Sequence, residues 1–155
     1  MKRALDTNVL VYAHLPGFAE HERVRAFLQT ELRKTDVTFC VTPMVLHEFV
    51  HVITDPRRFV SPVTMSEAVT VARSYLGREN VECLPVNEDV IREAFALLDR
   101  HSLGRKRIAD TLLAATLLQN GVAELVTCNP QDFRLFEGLS VTDLTARPPS
   151  EPKQG

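Results

Sequence analysis

Three acidic residues stand where acids are costly. Asp6 lies in "LDTNVLVYA" (5–13), directly before an unbroken apolar run. Glu48 lies in "LHEFVHVI" (46–53), among Leu46, Phe49, Val50 and Ile53. Asp110 stands near the start of "RIADTLLAAT" (107–116), a segment that is otherwise very apolar. An isolated ionised carboxylate beside a core is expensive unless something offsets its charge. Each residue also has an ordinary explanation. Asp110 can cap its helix and meet the helix dipole, Glu48 can mark a solvated helix border, and Asp132 in "NPQDF" (129–133) can be a turn residue. The combination points to other chemistry. Carboxylates gathered together repel one another unless protonated or bridged by a cation. Such oxygen ligands suit Mg²⁺ or Mn²⁺, which use a few carboxylates plus water and substrate phosphate.

A competing constellation shares one of these acids. "HEFVH" (47–51) fits H-E-x-x-H, the zinc protease pattern, with His47 and His51 one helical turn apart and Glu48 as general base. The extended pattern fails, because Thr54 and Arg57 occupy the positions of its later glycine and histidine. The protease reading also leaves Asp6 and Asp110 unexplained. A phosphatase with an aspartyl nucleophile at Asp6 needs a second aspartate where this chain has Asn8. Basic residues adjoin the acids. "GRKR" (104–107) puts Arg105, Lys106 and Arg107 just before Asp110, as phosphate contacts or as a solvated charge run. "DPRRF" (55–59) is a second basic patch, less clearly placed at a site.

The elements that must position these residues follow from periodicity. "RALD" reads as a short buried strand ending at Asp6, "VTFCV" (37–41) and "VECLPV" (81–86) as strands, "ELVT" (124–127) as another, and "LSVTDL" (139–144) as a further, edge strand. Helical spacing covers 19–35, 42–54, 64–77, 87–104 and 108–121. Thr42 caps the second of these, with Pro43 at its first position. Thr64 and Glu67 form a capping box for the third. Strands separated by helices argue for an α/β fold with a mainly parallel sheet. Ligands of such sheets bind beyond the carboxyl ends of the strands. Asp6, Thr127 and Asn129 should therefore face one edge.

Composition sets the frame. The 155 residues suit a single domain, expected over 1–145, and the Pro-rich stretch 146–155 reads as a disordered tail. No apolar run approaches the ~20 residues needed to span a bilayer, and no signal-peptide segment is visible, so a cytoplasmic, membrane-free protein is expected. Cys40, Cys83 and Cys128 are odd in number and widely spaced, which suits reduced thiols. A net charge of −2 argues against nucleic-acid binding by bulk positive charge alone.

The order "LDTNVL", "LHEFVHVITDPRRF", "IADTLLAAT", "LVTCNPQDF" resembles the PIN-domain nucleases, and among them the VapC-type toxins of toxin–antitoxin pairs. The resemblance runs from about residue 3 to 143. It implies a three-layer α/β/α PIN-like fold and a Mg²⁺- or Mn²⁺-dependent ribonuclease that hydrolyses phosphodiester bonds. By position, the catalytic and metal-binding acids fall on Asp6, Glu48 and Asp110. A fourth acid is often found where this chain has Asn129, so either Asn129 or the nearby Asp132 would complete the metal site. Thr7, Asn8 and Thr127 match small polar residues that orient the ligands. Two bound Mg²⁺ would change the formal charge from −2 to −2 + 4 = +2, which lets a mildly acidic protein admit RNA. The implied partners are an RNA substrate, a cognate antitoxin and a second copy of the chain. The apolar stretches Val45 to Ile53 and Val69 to Leu76 are either those interfaces or buried helices. The Asn129 departure also keeps open a catalytically weak PIN-like module that binds RNA or protein.

Overall fold

A computed structural model describes residues 1–146. The Pro-rich tail expected at 146–155 lies, beyond Ala146, outside the described residues.

Five short strands alternate with helices. β1 (Lys2–Leu5) leads into α1 (Thr7–His14) and α2 (His21–Glu31), then β2 (Thr38–Val41), α3 (Pro43–Ile53) and α4 (Met65–Leu76). β3 (Val81–Cys83), α5 (Glu88–Arg100), α6 (Ile108–Gln119), β4 (Glu124–Thr127) and β5 (Ser140–Asp143) complete the order. All neighbouring strands pair in parallel, in the order β3-β2-β1-β4-β5. The chain moves outward from β1 to β3 and then returns to the other side of β1. Right-handed crossovers place helices that travel in opposite directions on opposite faces. Accordingly α1 to α4 pack among themselves, α5 packs on α6, and the parallel sheet lies between, giving the expected α/β/α sandwich.

The order reverses between β1 and β4, where the register pairs Leu5 with Val126. α1 leaves β1 there, while β4 runs into the tight turn at Pro130–Asp132, and the crevice of such a sheet lies at the carboxyl ends of the strands where the order reverses. Leu5, Leu10, Phe39, Phe49, Leu117 and Leu125 fill the layers beneath it, each fully buried.

Local signals explain most boundaries. Thr42 Oγ1 accepts from Val45 N at 3.1 Å and caps α3. The Thr64–Glu67 capping box starts α4, and Asn87 caps α5. After α6, Gly121 takes φ +68° and Val122 N reaches back to Leu117 O at 2.9 Å, the Schellman closure that glycine makes easy. Two expectations fail. α5 stops at Arg100 instead of running to Gly104, because Ser102 adopts φ 51° and closes the same kind of turn, with Leu103 N on Leu98 O at 2.9 Å. The sequence also gave no reason to expect α1. Its eight residues carry Val9, Leu10, Val11 and Ala13, all buried, so they read as a continuous apolar run without a polar face.

Candidate active site

Asp6 is built by the junction of β1 and α1. Its N–H donates to Val126 O at 3.0 Å, extending the β1–β4 ladder by one residue. Its backbone is still extended while the next residue is helical, so Asp6 is the N-cap of α1. One carboxylate oxygen, Oδ1, accepts Thr7 N at 2.7 Å. The other, Oδ2, accepts Thr127 Oγ1 at 2.7 Å and Asn8 Nδ2 at 3.2 Å. Asp6 is 9% exposed. Among the described residues no lysine or arginine pairs with it, so hydrogen bonds and the α1 dipole are its only protein support.

That support is incomplete. Burial above all pushes the Asp6 carboxyl up to about 6, and the like charges of Asp110 and Glu48 add to the rise, against the opposing hydrogen bonds from Thr127 and Thr7. Asp110 lies in the first turn of α6 and is also raised, first by burial and then by Asp132, with Arg107 acting in the opposite direction. Glu48 projects from the middle of α3, where Thr7 Oγ1 donates to its Oε2 at 3.0 Å. These three acids line one cleft of about 830 Å³.

The small polar residues hold this arrangement together. Thr127, fully buried, donates to Asp6 and accepts Asn129 N at 2.9 Å. Asn8 joins α1 to the end of β4 by accepting Cys128 N at 3.0 Å through Oδ1. Thr7, Asn8 and Thr127 thus surround Asp6, at the edge where the sequence placed them.

Asn129 also lines the cleft. Its amide donates to Asp132 Oδ2 and its carbonyl accepts Gln131 Nε2, so its polar groups are spent inside its own turn. Arg107 turns inward: its Nε is 3.4 Å from Asp110 Oδ2, its Nη1 is 3.8 Å from Asp132 Oδ1, and its guanidinium donates to the Asp132 carbonyl. It is a counter-ion of the acids, whereas Arg105 and Lys106 of the same run are exposed, and none of the three lines the cleft itself. The patch that reaches the cleft is "DPRRF", through Arg58 and Phe59. Phe59 meets Phe18 edge-on at 6.1 Å, and Phe18 meets Tyr12 at 4.8 Å, so an aromatic row borders the acids. The sequence signal for that row was weak, since three aromatics at 12, 18 and 59 share no period.

The donor chemistry fits a hard divalent cation: three carboxylates on one cleft, one of them buried without a positive partner. Among the described residues no three His, Cys, Asp or Glu side chains stand close enough to share an ion as they are. Glu48, which is exposed, and Asp110, at 29% side-chain exposure, have room to rotate toward the fixed Asp6. His47 and His51 are exposed on the cleft wall and converge with no third ligand among the described residues, so the zinc protease geometry is not formed.

The family model described as PIN domain matches residues 3–138. The chain is 32% identical to Ribonuclease VapC24 of Mycobacterium tuberculosis, over 90% of this chain and 94% of that protein. Among solved structures it resembles VapBC2 from Rickettsia felis bound to a promoter DNA fragment, with a TM-score of 0.64, 19% identity, and coverage of 92% of this chain and 98% of that one. It also resembles VapC20 of M. tuberculosis, a sarcin–ricin loop cleaving toxin, with a TM-score of 0.61, 21% identity, and coverage of 79% and 86%. At those identities the structures speak for the fold. A parallel sheet that reverses at β1, a buried aspartate at the reversal, and a VapC relative matched over nearly its whole length lead to one conclusion: the chain belongs to the PIN-domain family, in its VapC branch.

Proposed function

We propose that this protein is a divalent-metal-dependent ribonuclease, the toxin of a toxin–antitoxin pair. The observation that carries the reading is Asp6, buried at the sheet reversal, without a basic partner among the described residues, and facing two further acids. Asp6, Glu48 and Asp110 would hold Mg²⁺ or Mn²⁺, with Asp132, or Asn129 once released from its turn, to extend the set. The chemistry such an ion would supply is activation of water and stabilisation of charge on the scissile phosphate. The remaining work belongs to the chain. Thr127 and Asn8 fix the Asp6 rotamer, Thr7 restrains Glu48, and Arg107 restrains Asp110. Arg58 is placed to meet a phosphate, and Tyr12, Phe18 and Phe59 to stack on unpaired bases, the usual mode of single-strand RNA recognition.

An antitoxin is the proposed protein partner. Support comes from the relatives, whose structures include toxin–antitoxin complexes. The half-apolar wall of the cleft, with Met44, Val45 and Val52, is where a second chain would cover the site. No described helix is long and apolar enough to cross a membrane.

Incubation of the purified protein with total RNA in Mg²⁺, Mn²⁺ or EDTA tests the reading. Discrete fragments that EDTA abolishes are expected. RNA binding without cleavage in either metal would favour the weak binding module that Asn129 suggests. Casein cleavage restored by Zn²⁺ would favour the protease.

A further inference from the structure

A second cavity, of about 490 Å³, lies on the other flank of α1, walled by the end of α1, by α2 and by the end of α4. It contains His14, His21, Arg25, Ser74, Tyr75 and Arg78, and no acidic residue lines it.

The side chains are arranged as a site. His21, the first residue of α2, is 6% exposed. Its Nδ1 is 2.7 Å from Tyr12 O, and a carbonyl can only accept, so Nδ1 carries a proton and donates. Among the described residues Nε2 has no partner, and the ring lines the cavity. Arg25 lies one turn further along α2, on the same face as His21. Arg25 and Arg78 form no ion pair among the described residues, unlike Arg3, Arg57, Arg92 and Arg107. The Tyr75 hydroxyl, 2.9 Å from His14 Nε2, holds the imidazole against the cavity wall. Desolvation first, then the electrostatic influence of the neighbouring His21 and Arg25, keep His14 below its ordinary pKa. Arg25 and Arg78 therefore meet at a cavity that no carboxylate lines and where neither has an ion-pair partner among the described residues.

We propose that this pocket binds a phosphate group. Two arginines give the forked donors that phosphate oxygens take in pairs, and the buried His21 ring adds a fixed point of recognition. The phosphate comes either from the backbone of the RNA substrate, beyond the cut, or from a free nucleotide. The cavity and the acidic cleft flank the same helix, roughly 10 Å through, so a strand leaving the cleft can reach it. Only the RNA source rests on the ribonuclease reading.

The test uses the full-length protein and needs no cleavage. Ring signals of His14 and His21 are followed by NMR during titration with inorganic phosphate, then with adenosine 5′-monophosphate, at constant ionic strength with chloride. The wild type should show a saturable His21 response in the millimolar range. The double variant Arg25→Gln/Arg78→Gln, altered only at exposed side chains, should need about tenfold more ligand or worse. In parallel, binding of an uncleavable RNA is measured against salt. A log–log slope shallower by about one in the double variant assigns the phosphate to RNA. An unchanged slope with phosphate binding intact assigns it to a free nucleotide, and the pocket stands. No saturable His21 response, or an equal response to chloride, overturns the proposal. So does capture of an acidic peptide by a protein that ignores phosphate. A protein that fails to cut RNA yet passes the phosphate titration refutes the ribonuclease reading alone.

Discussion

At the scale of single residues, the carboxylates of this molecule fall into two kinds. At the amino edge of the sheet Arg3 bridges Glu31 at 2.8 Å and Glu124 at 2.9 Å, and Lys34 adds a second charge to Glu31 at 2.6 Å, so each acid has a basic partner. At the carboxyl edge Asp6 has only hydrogen bonds, and burial raises its carboxyl pKa. Folded, Asp6 titrates near 6, against 3.8 as an ordinary aspartate. Between those values the folded state keeps a proton that the unfolded chain has released. Stability therefore falls as pH rises through the window, and the deficit persists above it. Asp6→Asn keeps the N-cap and removes the charge. In EDTA the variant should melt no lower than the parent near pH 7, and its advantage over the parent should grow from about pH 4 to about pH 7. It should also lose most of the stabilisation that millimolar Mn²⁺ gives the parent, and all RNA cleavage. A variant melting well below the parent in EDTA at neutral pH would make Asp6 a structural residue. Thr127→Val probes the support. It removes the donor to Asp6 and leaves the Asn129 N–H without its acceptor, so urea unfolding should reveal a loss of about 1–3 kcal/mol. The Asp6 carboxyl should titrate higher still, because the Thr127 hydrogen bond is the largest influence lowering it.

At the scale of elements, α3 presents a face with two kinds of polar residue. Thr7 binds Glu48, while His47 and His51 stand exposed beside it. His47→Ala with His51→Ala should leave RNA cleavage within about tenfold, a ~1.4 kcal/mol effect. A loss of a thousandfold in the folded double variant would put a histidine into the chemistry. The segment after α3 brings Arg58 to the cleft, and the turn before α6 aims Arg107 at Asp110 and Asp132. The two arginines should therefore differ in kind. Arg58→Ala should weaken RNA binding and flatten its salt slope by about one, with metal affinity unchanged. Arg107→Ala should alter metal affinity, because it frees Asp110 and Asp132 to repel each other. An unchanged Mn²⁺ isotherm in Arg107→Ala would return it to the role of an RNA contact.

At the scale of the whole molecule, the fold separates stability from function along the strand axis. Arg3 ties β1, β4 and α2 together far from the acid cleft, with side chains of 11–20% exposure. Arg3→Ala leaves Glu31 with Lys34 alone and Glu124 with the Thr142 hydroxyl alone, both carboxylates largely buried. It should cost about 3 kcal/mol in chemical denaturation while leaving the Mn²⁺-induced rise in melting temperature intact. A loss of the Mn²⁺ effect with that variant would show that the two edges are coupled.

Much of this was written in the chain. Strand and helix order and the caps at Thr42, Thr64 and Asn87 follow from local pattern, and the place of Asp6 at the carboxyl edge from the geometry of parallel sheets, whereas Glu48 and Asp110 were joined to Asp6 by the family resemblance. Order and caps are properties of neighbours in sequence, and sequence reports them well. α1 was hidden, because a short helix buried on most sides has no amphipathic period. The fate of each basic residue was decided by tertiary structure. Arg107 and Arg105 are two positions apart, yet one faces the acids and the other faces solvent, since a single tight turn sends alternate side chains in different directions. Arg58, Tyr12 and Phe18 meet at the cleft, and His21 meets Arg78, only because α1 to α4 fold onto one another. The residue types were fixed one by one along the chain, but which charges share a cavity depends on packing between segments distant in sequence.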